Sequence, residues 1–195
     1  MRLHLGCGTN YLHGWINIDL YPTSERGNTV CEADVFHDIC KLDECYQENT
    51  IDEIYLCHVF EHLDKKEATI ALSCWYKILK PGGILTIYVP DANKIMKGCL
   101  GLYTMEEAQI PPPPGANPMQ IDWTHPPVRL CKDDDTSKEE WFFYLEGTHE
   151  YDGEIHKCHY TPHRMSILLE KNGFKDITEI VGVMPFRDFG MRGIK

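Results

Sequence analysis

The chain has 195 residues, 43% of them hydrophobic and 25% charged, with a formal net charge of -11. These totals fit one globular domain with a sizeable core, and the acidic balance argues against a nucleic-acid backbone as main partner, since phosphates are held by an excess of Lys and Arg. Nine cysteines, an odd number with no CxxC pair, read as reduced thiols in a cytoplasmic protein, and no run approaches the ~20 apolar residues of a membrane span.

In chain order, residues 2–6 read as a strand ending in a Gly6-Cys7-Gly8 turn, with no leader expected ahead of it. Residues 15–19 read as a second strand closed by Asp19, and Thr29 to Ala33 as a third, stopped by Asp34. Ile51 to Cys57 is a strongly apolar strand. Glu67 to Leu79 carries Ile70, Cys74 or Trp75, and Ile78 at helical spacing, and Lys80-Pro81-Gly82-Gly83 breaks that helix. Ile84 to Val89 is a buried strand closed by Pro90, and residues 92–108 read as helical. Residues 109–137 form a long irregular segment containing Pro111 to Pro114, Trp123 and His125; such segments in compact domains tend to be functional or disordered. Thr161-Pro162 caps a helix running to Lys171, Asn172-Gly173 ends it, and Phe174 to Val181 is a strand. Strands alternating with helices predict an α/β fold, a mostly parallel sheet with helices on both faces. No internal repeat is present.

The glycine turn after the first strand lets backbone approach a ligand closely, and the acid ending the second suits a ribose diol, because a carboxylate accepts two hydroxyl hydrogen bonds. A dinucleotide site wants a further glycine where Tyr11 stands, and an acid about 20 residues on, roughly twice the gap found here. No basic residue follows Gly8 to hold phosphates, which excludes a P-loop. The cofactor this describes has a ribose and needs no pyrophosphate cradle, as in S-adenosyl-L-methionine (SAM). The short gap shrinks the first crossover helix to about one turn.

Leu5-Gly6-Cys7-Gly8, Gly14-Trp15-Ile16-Asn17-Ile18-Asp19-Leu20, Glu61-His62-Leu63, Leu79-Lys80-Pro81-Gly82-Gly83 and Val89-Pro90-Asp91 together resemble the class I SAM-dependent methyltransferases. They are most similar to the small ones found near glycosyltransferases. The resemblance covers residues 3–91 and returns at His156-Lys157 and Leu168 to Phe174. It implies a Rossmann-like methyltransferase fold over 1–195, with 92–160 as an acceptor-binding insertion. It places Gly6, Cys7 and Gly8 along the methionine part of SAM with Asn10 nearby, Asp19 on the ribose, Leu20, Asp34 and Val35 around the adenine, and Cys57-His58 toward the sulfonium. His4 departs from the pattern: many relatives have an acid there near the SAM amino group, a role left here to backbone carbonyls. The implied activity is O-methylation of a sugar or glycan hydroxyl, in partnership or fusion with glycosyltransferases. Methylation of a phenol, carboxylate or amine is the alternative, and a non-catalytic SAM-binding module is the alternative of another class.

Methyl transfer to an alcohol needs the acceptor aligned and its proton taken. His58, Glu61, His62 and Asp91 follow strand ends, where ligands of open α/β sheets bind. His125, His149, His156 and His159 come from the second half of the chain. Asp91, His62 and His156 are the candidates for the base. His58-x-x-Glu61-His62 matches an HxxEH zinc-peptidase pattern, which would need a helix rather than a strand end. With one loop histidine it also reads as a set for Mn²⁺, Zn²⁺ or Fe²⁺ rather than Mg²⁺. If Glu61 and His62 instead cap the following helix and stabilise the cofactor loop, no ion is needed. The capping reading is adopted: no metal is assigned, and turnover is expected to survive EDTA. Asp133-Asp134-Asp135 reads as a solvated turn. Trp123, Trp141, Phe142, Phe143, Tyr144 and Tyr151 divide between core and a pocket mouth suited to a sugar face.

Overall fold

A computed structural model describes residues 1–20, 31, 33–100, 144–147, 155–184 and 187–195. Within them, seven strands make one sheet: β1 (Arg2–Leu5), β2 (Ile16–Asp19), β3 (Val35–Phe36), β4 (Ile51–Cys57), β5 (Leu79–Pro90), β6 (Lys175–Val181) and β7 (Asp188–Ile194). Their order is β3-β2-β1-β4-β5-β7-β6. The first five pair in parallel, and β7 runs antiparallel between β5 and β6. Strand order reverses between β1 and β4, the switch point beside which open α/β sheets bind ligands. The Gly6 turn and residues 58–62 leave the carboxyl ends of these two strands.

Strand β4 shows how the sheet is covered. Alternate side chains point to opposite faces. Ile54 and Leu56 enter the main core with Phe60, Leu72, Trp75 and Met165, while Tyr55 and Cys57 join Val183, Leu12, Trp15 and Tyr88 on the other face. Helix α1 (Lys65–Ile78) supplies much of the main core through Ala68, Ala71, Leu72, Cys74, Trp75 and Ile78. Ile70, expected on that stripe, is 45% exposed, because the burying face follows the Ala68–Trp75 row instead. The helix starts at Lys65 rather than Glu67, since Asp64 closes a capping box: its carboxylate accepts the Lys66 and Glu67 N–H groups, and the Glu67 carboxylate accepts the Asp64 N–H. Leu79 already pairs with Ile51, so β5 begins before the Lys80–Gly83 break, which bulges out before pairing resumes at Ile84.

Three other elements differ from the sequence expectation. The β1–β2 crossover contains no helical turn. Backbone bonds Asn10 N–H to Cys7 C=O and Trp15 N–H to Leu12 C=O fold it into tight turns, and its Leu12 and Trp15 cover Tyr55. Thr29, Val30 and Glu32 lie outside the described residues; the strand seen is Val35–Phe36, so Asp34 precedes a strand rather than ending one. The Asp34 carboxylate accepts the Asn17 N–H, and ladder pairing begins one residue later, at Ile18 with Val35. Strand β7 was not foreseen. A Cβ at Gly190 would stand 2.6 Å from both Ile180 Cγ1 and Tyr88 Cε1, so the close approach of β7 to its neighbours requires glycine there.

Helix α2 (Ala92–Cys99) opens at the expected place, and the rest of the 92–108 helix and the 109–137 segment lie outside the described residues. Helix α3 (Pro162–Lys171) starts with the Thr161 hydroxyl accepting the Arg164 N–H, as the Thr-Pro pair implied. No described helix is long and apolar enough to cross a membrane. No disulfide joins any two of the eight described cysteines.

Replacing Asp64 by Ala should cost about 1 kcal/mol, since two N–H groups lose their acceptor. Urea denaturation should show a lower midpoint with an unchanged slope.

Candidate cofactor and acceptor site

The glycine turn is built by sterics. Gly6 has φ 62°, and a Cβ there would meet Val59 Cγ2 at 2.2 Å, so β1 can leave the sheet beside Val59 only with glycine. Gly8 has φ 53°, and nothing stands within 4 Å of where its Cβ would be, which leaves open space over the turn. Asp19 locks the turn to β2: one carboxylate oxygen accepts the Gly8 N–H at 2.7 Å, the other the Leu20 N–H at 2.7 Å. Each oxygen keeps a further lone pair. The Cys7 and Cys31 sulfurs lie 3.8 Å apart beside it, and burial pushes both thiols up, so they stay protonated.

Asn17 organises the neighbouring backbone. Its Nδ2 donates to Leu12 O, Trp15 O and Asp34, and its Oδ1 accepts from the Leu12 N–H and from His4 Nδ1. Burial keeps His4 neutral. Asp34 also accepts from the Tyr11 hydroxyl, and its bond from the Asn17 N–H holds it below the usual carboxylate range. Leu20 and Asp34 are exposed and Val35 half-buried, while Asn10 sits in the turn with its N–H on Cys7 O.

At the end of β4 the chain turns sharply, with His58 at φ 55°. Its two ring nitrogens reach Asp188 Oδ2 at 3.0 Å and Glu61 Oε1 at 3.2 Å. Burial works against a charge on His58, but the two carboxylates outweigh it and raise its pKa to about 9. His58 is therefore a cation donating from both nitrogens. Asp188 is fully buried; burial alone would push its carboxyl up, but Arg187 and His58 hold it far below the usual range. Arg187 Nε donates to it at 2.9 Å and its guanidinium lies over Tyr144.

Residues 155–160 return against this edge. Cys158 N–H donates to Glu61 O, and Ala92 N–H to Tyr160 O. His62 Nδ1 meets Ile155 O and His156 Nδ1 meets Leu145 O, each at 3.2 Å. A carbonyl only accepts, so both rings carry their proton on Nδ1. The rings pack edge to face, 4.9 Å apart. Burial lowers the His156 pKa, which keeps that ring neutral. Glu61 stays ionised: burial would raise its pKa, but the hydrogen bond and charge of His58 lower it. A cleft beside them is lined by Glu61, Pro90, Ile95, Tyr144, His156 and His159, among others.

Two of the three base candidates, His62 and His156, are thus brought together. Asp91 is not: it caps α2, one oxygen accepting the Asn93 N–H and the other facing Lys94 at 3.7 Å. His58, expected toward the sulfonium, gives its ring to Asp188 and Glu61. His125, His149, Trp123, Trp141, Phe142, Phe143, Tyr151 and Asp133 to Asp135 lie outside the described residues, as does most of 92–160. Arg187 and Asp188 were not singled out from the sequence. No local pattern marks them, because the Asp188 pairing with His58 forms across 130 residues of sequence.

Residues 3–87 match the family model of a methyltransferase domain. A search of curated proteins gives no match. Among solved structures, the fold is similar to a SAM-dependent methyltransferase from Archaeoglobus fulgidus (TM-score 0.57, 14% identity, covering 100% of this chain and 85% of that one). It is also similar to the 1,6-didemethyltoxoflavin-N1-methyltransferase of Burkholderia thailandensis with bound S-adenosylhomocysteine (TM-score 0.54, 14% identity, 100% and 70%). A third is the CurJ carbon methyltransferase (TM-score 0.54, 12% identity), of which this chain spans 47% of the length while being 99% covered itself. The fold is the Rossmann-like class I methyltransferase fold.

Asp188→Ala would leave the partly buried cations His58 and Arg187 without their shared, fully buried partner. The expected cost is about 3–5 kcal/mol of folding stability, read by chemical denaturation.

Proposed function

We propose that this chain is a methyltransferase that takes S-adenosyl-L-methionine as its methyl donor and methylates a hydroxyl oxygen of a sugar or glycan intermediate, with His156 acting at the acceptor. The carrying observation is the pinned pair His62 and His156, whose Nδ1–H groups are fixed on carbonyls beside a cleft at the β4 end.

The residues present suit the donor. The open space over Gly8 takes a chain that a Cβ would displace, and Asp19 offers its remaining lone pairs to a ribose diol at the carboxyl end of β2. When bound, SAM supplies an activated methyl group for in-line displacement at carbon. The protein's part is to align the acceptor and take its proton. A sugar hydroxyl is not ionised at neutral pH, so proton removal accompanies transfer and needs a group within hydrogen-bond reach. His156 is neutral and lines the cleft, whereas Asp91 is engaged with α2. His58, as a cation, cannot serve as base. Tyr144 and His159 in the lining suit a sugar ring, and the net charge of -11 disfavours a polyanionic acceptor. The odd number of cysteines without a CxxC pair fits a reducing, cytoplasmic setting. A glycosyltransferase working before or after this enzyme follows from the same reading.

Two measurements test it. Asp19→Ala should weaken SAM binding at least about tenfold by calorimetry, since hydrogen bonds to a charged acceptor are worth about 1.5–3 kcal/mol each; unchanged affinity would remove Asp19 from the cofactor site. With candidate glycan acceptors, His156→Ala should lower turnover at least about 100-fold while SAM affinity shifts less than about threefold. Single variants of Asp91, His62 and His156 that all stay within about tenfold of wild type would move the base to His125, His149 or His159. Methylation of a phenol, carboxylate or amine but of no sugar would replace the acceptor class. SAM binding with no acceptor methylated at all would leave a binding module.

A further inference from the structure

We propose that Glu61, His62 and His156 form a binding site for a divalent first-row transition-metal ion, of the Zn²⁺, Fe²⁺ or Mn²⁺ kind. This reverses the expectation drawn from the sequence, where His58 was the partner considered for Glu61 and His62. The fold gives His58 to Asp188 and puts His156 in its place.

Three observations carry the inference. One ligand atom from each of the three residues lies within 4.8 Å of the other two. Binding an ion at about 2.0–2.2 Å would draw them in by roughly an ångström, within reach of side-chain adjustment. Glu61 is 2% exposed, and among the described residues its Oε2 has no hydrogen-bond partner although Oε1 bonds His58. A buried charged oxygen without a partner is costly, and native structures rarely keep one without a reason such as an ion. Both imidazoles donate Nδ1–H to a backbone carbonyl, Ile155 O and Leu145 O. That outer bond fixes ring orientation and leaves Nε2 as the lone pair, the arrangement found behind metal-bound histidines.

The donor set selects the class of ion. Two imidazoles and one carboxylate suit borderline ions, whereas Mg²⁺ and Ca²⁺ prefer all-oxygen shells. Three protein ligands leave positions open, as in catalytic rather than structural sites. Glu61 and His156 also line the cleft. On the reading of the acceptor given above, an open position would take the acceptor hydroxyl and ease loss of its proton, so His156 would act through the ion. Binding itself does not depend on that reading.

The test uses Co²⁺ as a coloured probe, with Zn²⁺ in competition, on the reduced 195-residue chain. One Co²⁺ per chain is expected, with visible absorption bands displaced by Zn²⁺ but not by a large excess of Mg²⁺. His156→Gln and His62→Asn should each weaken binding at least about tenfold, and Glu61→Gln likewise, with near-native circular dichroism in each. Cys7→Ser/Cys31→Ser should bind as wild type, separating this site from the Cys7–Asp19–Cys31 cluster. The proposal is overturned if wild type binds no Co²⁺ at about 100 µM, or if His62→Asn/His156→Gln binds as tightly as wild type. An ion that binds here while no hydroxyl is methylated keeps the site and removes the acceptor reading. Loss of turnover in His156→Ala in a protein that binds no ion keeps the acceptor reading and removes the site.

Discussion

A carboxylate with no exposure, Asp188, sets the terms at the working edge of the sheet. A buried charge is tolerated only when paired and hydrogen-bonded. Here Arg187 Nε, His58 and the Met184 N–H converge on it, while Lys94 Nζ holds its backbone carbonyl at 2.6 Å. These bonds tie the start of β7 to the end of β4 and to α2. They also explain the left-handed backbone of His58, which must turn its ring between Asp188 and Glu61. Because His58 takes one Glu61 oxygen and faces Asp188 with its other nitrogen, the second Glu61 oxygen is left without a partner among the described residues.

The edge so formed is composite. His62 reaches the Ile155 carbonyl across 93 residues of sequence, and the 155–160 segment is held by backbone bonds to Glu61 and Ala92. Apolar contacts anchor it: Tyr160 packs on Phe60, and Phe60 on Trp75. A rigid aromatic base under a cluster of polar groups is the arrangement that preorganises a small-ligand site. The cofactor end rests on a separate support. Asn17, buried in β2, fastens the crossover loop and Asp34, so the Gly6–Gly8 turn and Asp19 stand on a fixed backbone.

Local pattern carried much of this into the sequence. Gly6 and Gly8 do require the backbone they suggested, and Asp19 ends β2 beside them. Thr161-Pro162 starts α3, and the apolar runs of β4 and β5 became central strands. What misled was just as local. Ile70 lay at helical spacing but on a row that nothing covers. Strand β7, with Gly190, Arg192 and Gly193, lacks a strand-like pattern because its glycines answer to Tyr88, Ile180 and Phe174 on neighbouring elements.

The sequence by itself determined the strands β1, β2, β4 and β5, the tight turn at the first strand's end and the acid that follows it. Those depend on backbone sterics and on side chains within a few positions of each other. Only the tertiary structure decided which histidine stands with Glu61 and His62. His58 and His156 are equally plausible partners in the sequence, but buried Asp188, with Arg187 on one oxygen, takes a second cation on the other, and His58 is the imidazole within its reach. That electrostatic demand arises across 130 residues, and it leaves the remaining place beside Glu61 to His156.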